Sequence, residues 1–215
     1  YCFNDIAIDK NGFVYTCNGY TGKNNTSGQI RRLSPGTGTN VLAADDINFA
    51  DTDTNDKYRN GALAKQDIMD VEVDGDGFIF GLESAYGKVF VYDENGKTMS
   101  VFGGGTGTGS QVGSFVSVSS MALGNGGERV YVSDRRTNYI TVFTVTGFGK
   151  TVREATRLSN AGKYEKSKEM WQSVLNQDNN YQPAHSAMAR ISLNEENYSE
   201  AMRLARSGFD RKTYS

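Results

Sequence analysis

The chain contains few of the residues that metal, disulfide or histidine chemistry requires. Its 215 residues include two cysteines, Cys2 and Cys17, and a single histidine, His185. This composition excludes a disulfide framework, a histidine-rich metal site and a histidine-based catalytic triad within the chain. No apolar run approaches the roughly 20 residues of a membrane-spanning helix, and no signal peptide is visible. We therefore expect no cofactor, no metal and no catalytic residues.

Charge and glycine are distributed unevenly along the chain. The formal net charge is −2, with 12 Lys/Arg against 17 Asp/Glu in residues 1–149 and 11 against 8 in residues 150–215. Of the 25 glycines, 23 precede residue 150. This shift places a domain boundary near Gly149, giving domains 1–149 and 150–215. The acidic first domain makes a nucleic-acid partner unexpected.

The first domain repeats one strand pattern three times. The copies begin with DIAIDKNGFVYTCNG, DVEVDGDGFIFGLES and SSMALGNGGERVYVSD, each containing two alternating runs around a Gly/Asp/Asn turn. Third strands are predicted at 29–33, 88–93 and 139–144. Short fourth strands are predicted at 39–43 and 98–102, whereas in the third copy only residues 150–152 occupy the position of a fourth strand. The pattern is typical of β-propeller blades, of which a closed propeller has about four to eight.

The best-defined stretch of this pattern carries a family resemblance. It comprises VFGGG at 101–105, GSF at 113–115, YVSD at 131–134 and ITVF at 140–143. Together with its looser copies, over about residues 3–145, it resembles the NHL-repeat family of propellers. That resemblance implies a six-bladed propeller. Since the chain shows three blades and begins at Tyr1 without methionine, we expect a fragment of a larger parent, with a homodimer of three-bladed chains as the alternative.

The second domain changes to helical spacing. Gly162 divides the segment beginning VREATRLSNAGKYEKSKEMW into two helices, and the pattern returns 34 residues later, with Ala155 matching Ala189 and Trp171 matching Ala205. This period resembles tetratricopeptide (TPR) repeats, although Glu196 replaces the turn glycine. The resemblance implies protein–protein or interdomain contacts.

Blade connections alternate between two ends, and the long loops share one of them. Loops on a rigid scaffold are common binding sites, so we predict ligand binding there. The candidate residues are Asn18, Tyr20, Glu83, Tyr86, Asp134, Arg135, Arg136 and Asn138. The alternative for Asn18, Glu83 and Asp134, which align at equivalent positions, is a structural role in which each binds its own loop backbone.

The expected function is a non-enzymatic binding or scaffold module whose ligand is a protein or a glycan. Propeller-plus-TPR chains of this kind resemble bacterial surface or membrane-anchored proteins associated with carbohydrate uptake. The resemblance therefore implies an extracytoplasmic site, with any membrane anchor outside this chain. The alternative is a metal-dependent propeller lactonase or lyase, with Asp5, Asp70 and Ser119 near one channel mouth and further ligands on missing blades.

The two cysteines fall close together in the expected first hairpin. A turn at residues 9–12 places Asn4 opposite Cys17, and Cys2 then lies diagonally across the same face. This register would allow a disulfide between Cys2 and Cys17. We expect the two cysteines to be unbonded, however, because a disulfide tolerates only a narrow range of distances between the two residues.

Overall fold

A computed structural model describes residues 3–18, 29–42, 49–50, 67–104 and 111–210. The chain divides into two compact units, Tyr1–Thr144 and Val145–Ser215. The first contains antiparallel sheets and the second contains helices. Within the described residues, no helix is long and apolar enough to cross a membrane.

In its described residues, the first unit contains three antiparallel sheets of three, four and three strands, each following chain order. Sheet 1 comprises β1 (Phe3–Ile8), β2 (Val14–Asn18) and β3 (Ile30–Leu33). Sheet 2 comprises β4 (Ile68–Val73), β5 (Ile79–Glu83), β6 (Lys88–Tyr92) and β7 (Thr98–Gly103). Sheet 3 comprises β8 (Val118–Gly124), β9 (Arg129–Asp134) and β10 (Tyr139–Thr144).

Only one of the predicted fourth strands forms in the described residues. It is β7, whereas sheet 1 has a single isolated bridge between Leu33 and Asn40 in place of the strand predicted at 39–43. Residues 150–152 are helical, because Thr146 caps a helix that already begins at Gly147 by accepting a hydrogen bond from the Gly149 N–H at 3.1 Å.

Three of the tight turns are built on one arrangement. Asp9, Asp74 and Asp93 each follow a strand, and one carboxylate oxygen of each accepts the backbone N–H groups two and four residues later at 2.8–3.0 Å. Gly12 and Gly77 complete the first two turns with φ of 81° and 87°. Aspartate therefore satisfies the turn backbone, and glycine supplies the positive φ that the chain reversal requires.

A shift in strand register, found in the first strand of all three sheets, changes the predicted pairing of the first hairpin. Phe3 pairs with Asn18 and Asp5 pairs with Cys17, so Asn4 occupies a shift in register rather than lying opposite Cys17. Sheets 2 and 3 have the same shift, between Ile68 and Asp70 and between Val118 and Ser120. The prediction for Asn4 was wrong because it assumed unbroken pairing. Cys17 is a buried free thiol, and Cys2 lies outside the described residues.

The sheets pack face to face with their first strands, β1, β4 and β8, side by side. A buried core between sheets 1 and 2 includes Tyr15, Ile30, Val71, Phe90 and Tyr92. Between sheets 2 and 3, the Phe143 ring lies 4.8 Å from the Phe102 ring, measured between centroids. Glycines at 103 and 113 leave room for this ring, since a Cβ at Gly113 would lie 3.3 Å from it.

Up to residue 210, where the described part of the second unit ends, the chain forms two helical hairpins, α1 (Gly147–Asn160) with α2 (Tyr164–Gln177) and α3 (Gln182–Asn194) with α4 (Tyr198–Ser207). Small residues at matching positions allow close helix contacts, since Ala155 and Ala189 are fully buried. Trp171 is also buried and its indole N–H donates to Ser159 Oγ at 3.3 Å. Burial does not follow the 34-residue repeat at its end: Leu175 is buried, whereas Phe209, which lies 34 residues later, is 77% exposed.

The two hairpin turns allow a matched stability test. Gly162 and Glu196 occupy equivalent positions with φ of 71° and 59°. Because a side chain destabilises this left-handed conformation, we expect Gly162→Ala to lower the free energy of unfolding by about 1 kcal/mol. Glu196→Gly should raise it, by up to about 1 kcal/mol. Urea unfolding followed by Trp171 fluorescence measures both; equal signs for the two changes would contradict the argument.

Candidate ligand-binding site

The aligned polar residues end the second strands of the three sheets. Asn18, Glu83 and Asp134 are the last residues of β2, β5 and β9, and they pair with Phe3, Ile68 and Val118 on the neighbouring first strands. All three are at least nine-tenths buried. They lie at the end of the sheets opposite the turns made by Asp9 and Asp74, which is where the long loops begin.

The Asp134 carboxylate accepts hydrogen bonds from two backbone segments. Its Oδ2 accepts the N–H groups of Val116 at 2.6 Å and Ser117 at 3.2 Å, and its Oδ1 accepts those of Arg136 at 2.9 Å and Thr137 at 3.2 Å. Burial of the carboxylate opposes ionisation, but the four hydrogen bonds outweigh it and lower the pKa of Asp134 below its usual value. The carboxylate therefore fixes both the 134–138 loop and the segment before β8.

Glu83 acts in the same way on its own loop. Its two carboxylate oxygens accept the N–H groups of Ala85 and Tyr86, and its backbone carbonyl accepts that of Gly87 at 3.1 Å. Gly87 has a φ of 70° and approaches the next sheet closely: a Cβ there would lie 2.9 Å from the Phe115 ring. The loop that carries Tyr86 is thus held against residues 115–118.

Asn18 differs from the other two. Its backbone N–H donates to the carbonyl of Gln29 at 2.9 Å, but its buried side-chain oxygen has no hydrogen-bond partner among the described residues. Tyr20, the other candidate in this loop, lies outside the described residues. Sheet 1 therefore contributes only Asn18 to the described part of the predicted site, and the other described candidates belong to sheets 2 and 3.

The exposed candidates supply an aromatic ring and cations. Arg135 and Arg136 are exposed, and Arg135 Nε donates to Ser117 Oγ at 2.9 Å. Tyr86 is half-buried, with the Lys88 ammonium 5.5 Å from its ring centroid. Asn138 is exposed with a φ of 60°, and its N–H closes the loop by donating to the Asp134 carbonyl at 2.9 Å.

Residues 83–88, 115–118 and 134–138 form what we call the loop cluster. Segment 115–118 connects its two outer loops, since Gly87 lies against Phe115 and Val118 while Asp134 binds Val116 and Ser117. Lys88 and Ser117 were not among the predicted site residues. A basic residue directly after the 83–87 loop was a signal for Lys88, but the role of Ser117 depends on a contact with Arg135 that no local pattern indicates.

Asp5 and Asp70, which the enzyme alternative placed at a channel mouth, join neighbouring sheets. Asp5 Oδ2 accepts the Val71 N–H at 3.0 Å, and Asp70 Oδ2 accepts the Met121 N–H at 2.9 Å. The Ser119 hydroxyl instead lies 2.8 Å from that of Ser133 within sheet 3. In the described part of the chain, no group of three His, Cys, Asp or Glu residues is arranged to hold a metal ion.

The Asp70 carboxyl and the nearby Cys17 thiol both have raised pKa values. Burial is the largest cause that raises the pKa of Asp70, which reaches about 7. The negative charges of Asp5 and Glu72 and a hydrogen bond with Asp5 raise this pKa further, whereas the Met121 hydrogen bond lowers it. Burial and the same two aspartates raise the pKa of Cys17 to about 12. The thiol is therefore unreactive as a nucleophile, since the thiolate is the reactive form.

Comparison with models of known protein families found no match, and comparison with curated proteins found none either.

The Asp70 carboxyl predicts a pH-dependent stability. Between about pH 4 and pH 7 the folded protein retains a proton that the unfolded chain releases, so the free energy of unfolding should fall as pH rises, by up to about 1.4 kcal/mol per pH unit. Asp70→Asn removes this proton and retains an acceptor for Met121. Its stability relative to the unaltered protein should therefore increase across this range.

Hydrogen exchange of peptides covering β4 and β8, corrected for the intrinsic effect of pH, measures this difference. Asp76→Asn, in the exposed turn after β4, is the matched control. A difference between Asp70→Asn and the unaltered protein that does not vary with pH would contradict the prediction.

Proposed function

We propose that the three sheets are blades of an NHL-like β-propeller and that the two helical hairpins are TPR-like repeats. Face-to-face packing of successive antiparallel sheets with their first strands adjacent supports the first assignment. Paired antiparallel helices with a 34-residue repeat and buried alanines at matching positions support the second. The protein is then a binding and scaffold module with no catalytic step of its own.

The ligand in this proposal is a glycan that carries carboxylates. The supporting observation is that Glu83 and Asp134 fix the two loops while Arg136 remains exposed beside them. A guanidinium binds a carboxylate through paired hydrogen bonds, and a tyrosine ring such as that of Tyr86 packs against a sugar ring. Because both loops are held in place before binding, little conformational entropy is lost when the ligand binds.

The helical unit contributes contacts with protein in the same proposal. Its second hairpin exposes large apolar side chains at Tyr198, Met202 and Phe209, which are 61%, 45% and 77% exposed. Apolar residues grouped at one end of a helical repeat array are typical of a surface covered by a neighbouring element. A bacterial extracytoplasmic location fits a glycan ligand and is part of the proposal.

A metal-dependent enzyme is the second candidate function. The observation that favours it is the proximity of two carboxyl groups, those of Asp5 and Asp70. Both carboxylates already accept backbone hydrogen bonds between sheets, so a metal would have to compete with those bonds. Hydrolysis of a lactone that depends on an added divalent cation and is lost in Asp70→Asn would favour the enzyme over the binding module.

Arg136→Glu tests the binding site directly. Replacing the exposed cation with an anion should weaken binding of uronic-acid oligosaccharides by about 10-fold or more, since a hydrogen bond to a charged group contributes about 1.5–3 kcal/mol. Arg129→Glu makes the same charge change at an exposed position at the start of β9, the opposite end of the strand, and should leave affinity unchanged. Titration calorimetry measures both.

Asp134 itself is a poor test residue, because its replacement would release four backbone N–H groups and disturb the loop. Equal effects of Arg136→Glu and Arg129→Glu would indicate a general charge effect and contradict the site. Preference for neutral oligosaccharides would contradict the proposed ligand class.

A further inference from the structure

The loop cluster carries two neighbouring arginines, and only one of their side chains is held in place. Arg135 and Arg136 are both exposed. The backbone N–H of Arg135 donates to the Ser117 carbonyl at 3.0 Å, and its side-chain Nε donates to the Ser117 hydroxyl at 2.9 Å. The Arg136 backbone N–H donates to Asp134 at 2.9 Å, whereas its side chain makes no hydrogen bond or ion pair with the described residues. Arg135 is therefore oriented before a ligand binds, and Arg136 is not.

The contact between Arg135 and Ser117 is supported by the buried Asp134 carboxylate. Asp134 directly precedes Arg135, and its Oδ2 accepts the Ser117 N–H at 3.2 Å, so one residue joins the two segments that make the contact. The residue after Ser117 lies against the neighbouring loop, since a Cβ at Gly87 would lie 3.0 Å from a methyl carbon of Val118. Contacts therefore connect that loop, through Ser117, to the Arg135 guanidinium.

The positive charges of the two neighbouring arginines are not neutralised within the described residues, where neither guanidinium forms an ion pair. On the helices, by contrast, Arg157 and Arg203 lie 2.7 and 2.6 Å from the carboxylate oxygens of Glu154 and Glu200. The two unpaired cations also belong to a domain in which 17 Asp/Glu outnumber 12 Lys/Arg. Adjacent like charges repel, and bound anions relieve this repulsion. The pair of arginines therefore favours a ligand with negative charge at both positions.

The hydrogen bond to Ser117 determines how Arg135 can bind an anion. A guanidinium presents its N–H donors in a planar fork, and the Nε donor of this fork is already used. The terminal nitrogens remain for the ligand, and they can bind both oxygens of one carboxylate through paired hydrogen bonds. Because one fork then occupies one carboxylate, two neighbouring arginines match two carboxylates rather than one.

We propose that Arg135, positioned by Ser117, binds a second carboxylate beside the one bound by Arg136, so that the ligand is a polyuronate with carboxylates on successive sugars. This inference rests on the glycan-binding function proposed above and narrows its ligand class. Ser117 is a positioning residue that acts through Arg135. An arginine that is fixed before binding loses less side-chain entropy when the ligand binds, so Ser117 increases affinity without contacting the ligand.

Titration calorimetry with a galacturonic-acid trimer tests the positioning. Ser117→Ala should weaken binding by about 3- to 10-fold, because the ligand must then immobilise the Arg135 side chain. Ser117→Thr retains the hydroxyl and should bind as the unaltered protein does. Ser119→Ala is the matched control, since it removes a nearby hydroxyl that lies 2.8 Å from that of Ser133 within sheet 3. It should leave affinity unchanged.

Combined variants separate positioning from a general structural effect. In an Arg135→Gln chain, Ser117→Ala should cause no further loss of affinity, because no guanidinium remains to be oriented. Circular dichroism confirms that each variant is folded. Equal losses with and without the Arg135 guanidinium would overturn the positioning role, and so would unchanged affinity in Ser117→Ala alone.

Substitution of both arginines tests the second carboxylate. Arg135→Gln and Arg136→Gln should each weaken binding of the trimer by about 10-fold or more, and independent contacts should make the two losses multiply in the double variant. A double variant that binds no more weakly than the weaker single variant would indicate one shared carboxylate and overturn this inference alone. An unaltered chain that does not bind the trimer would overturn the proposed function as well.

Discussion

The arrangement of the first unit depends on carboxylates that connect the first strand of one sheet to the first strand of the next. Asp5 and Asp70 each leave the pairing of their own sheet intact and accept a backbone N–H from the following sheet. Because both bonds originate at the same position next to the register shift, successive sheets are fixed in the same relative placement. The apolar contacts around Tyr15, Val71 and Phe90 bury hydrophobic surface and stabilise the packed sheets. The hydrophobic effect has no directional preference, so it does not by itself fix how the sheets are placed.

This connection has an electrostatic consequence. Placing the same acid on successive sheets brings Asp5 and Asp70 close enough to share a hydrogen bond, and burial disfavours two ionised groups there. The protein therefore retains a proton near neutral pH at a position that does not bind a ligand in the proposed function. A perturbed aspartate can thus arise from the repetition of a structural residue, and it is weak evidence for catalysis unless metal ligands or a substrate cavity accompany it.

Much of the local structure could be predicted from the sequence because its causes are local. Alternation located the strands, and the combination of Asp with Gly at 9–12 and 74–77 located turns whose hydrogen bonds span four residues or fewer. The register shift at Asn4 could not be predicted, since Asn4, Met69 and Ser119 share no side-chain property at the shift. The capping of α1 by Thr146 was missed because glycines at 147 and 149 argue against a helix by propensity.

Some features of the candidate site could likewise be predicted from the sequence, and others could not. The alignment of Glu83 with Asp134 was visible in the repeat, but Asp134 binds Val116, which lies 18 residues earlier, and no pattern predicts that contact. The structure thereby separates two roles that the sequence placed in one group. Buried carboxylates shape the loops, whereas Arg136 and Tyr86 project from loops already shaped. In the proposed function, substitutions at the projecting positions would alter ligand preference without disturbing the backbone. The opposite end, where the Asp9, Asp74 and Asp93 turns are closed by their own hydrogen bonds, has no comparable loops in the described residues. That asymmetry is the physical reason for proposing the loop cluster, rather than the opposite end, as the binding site.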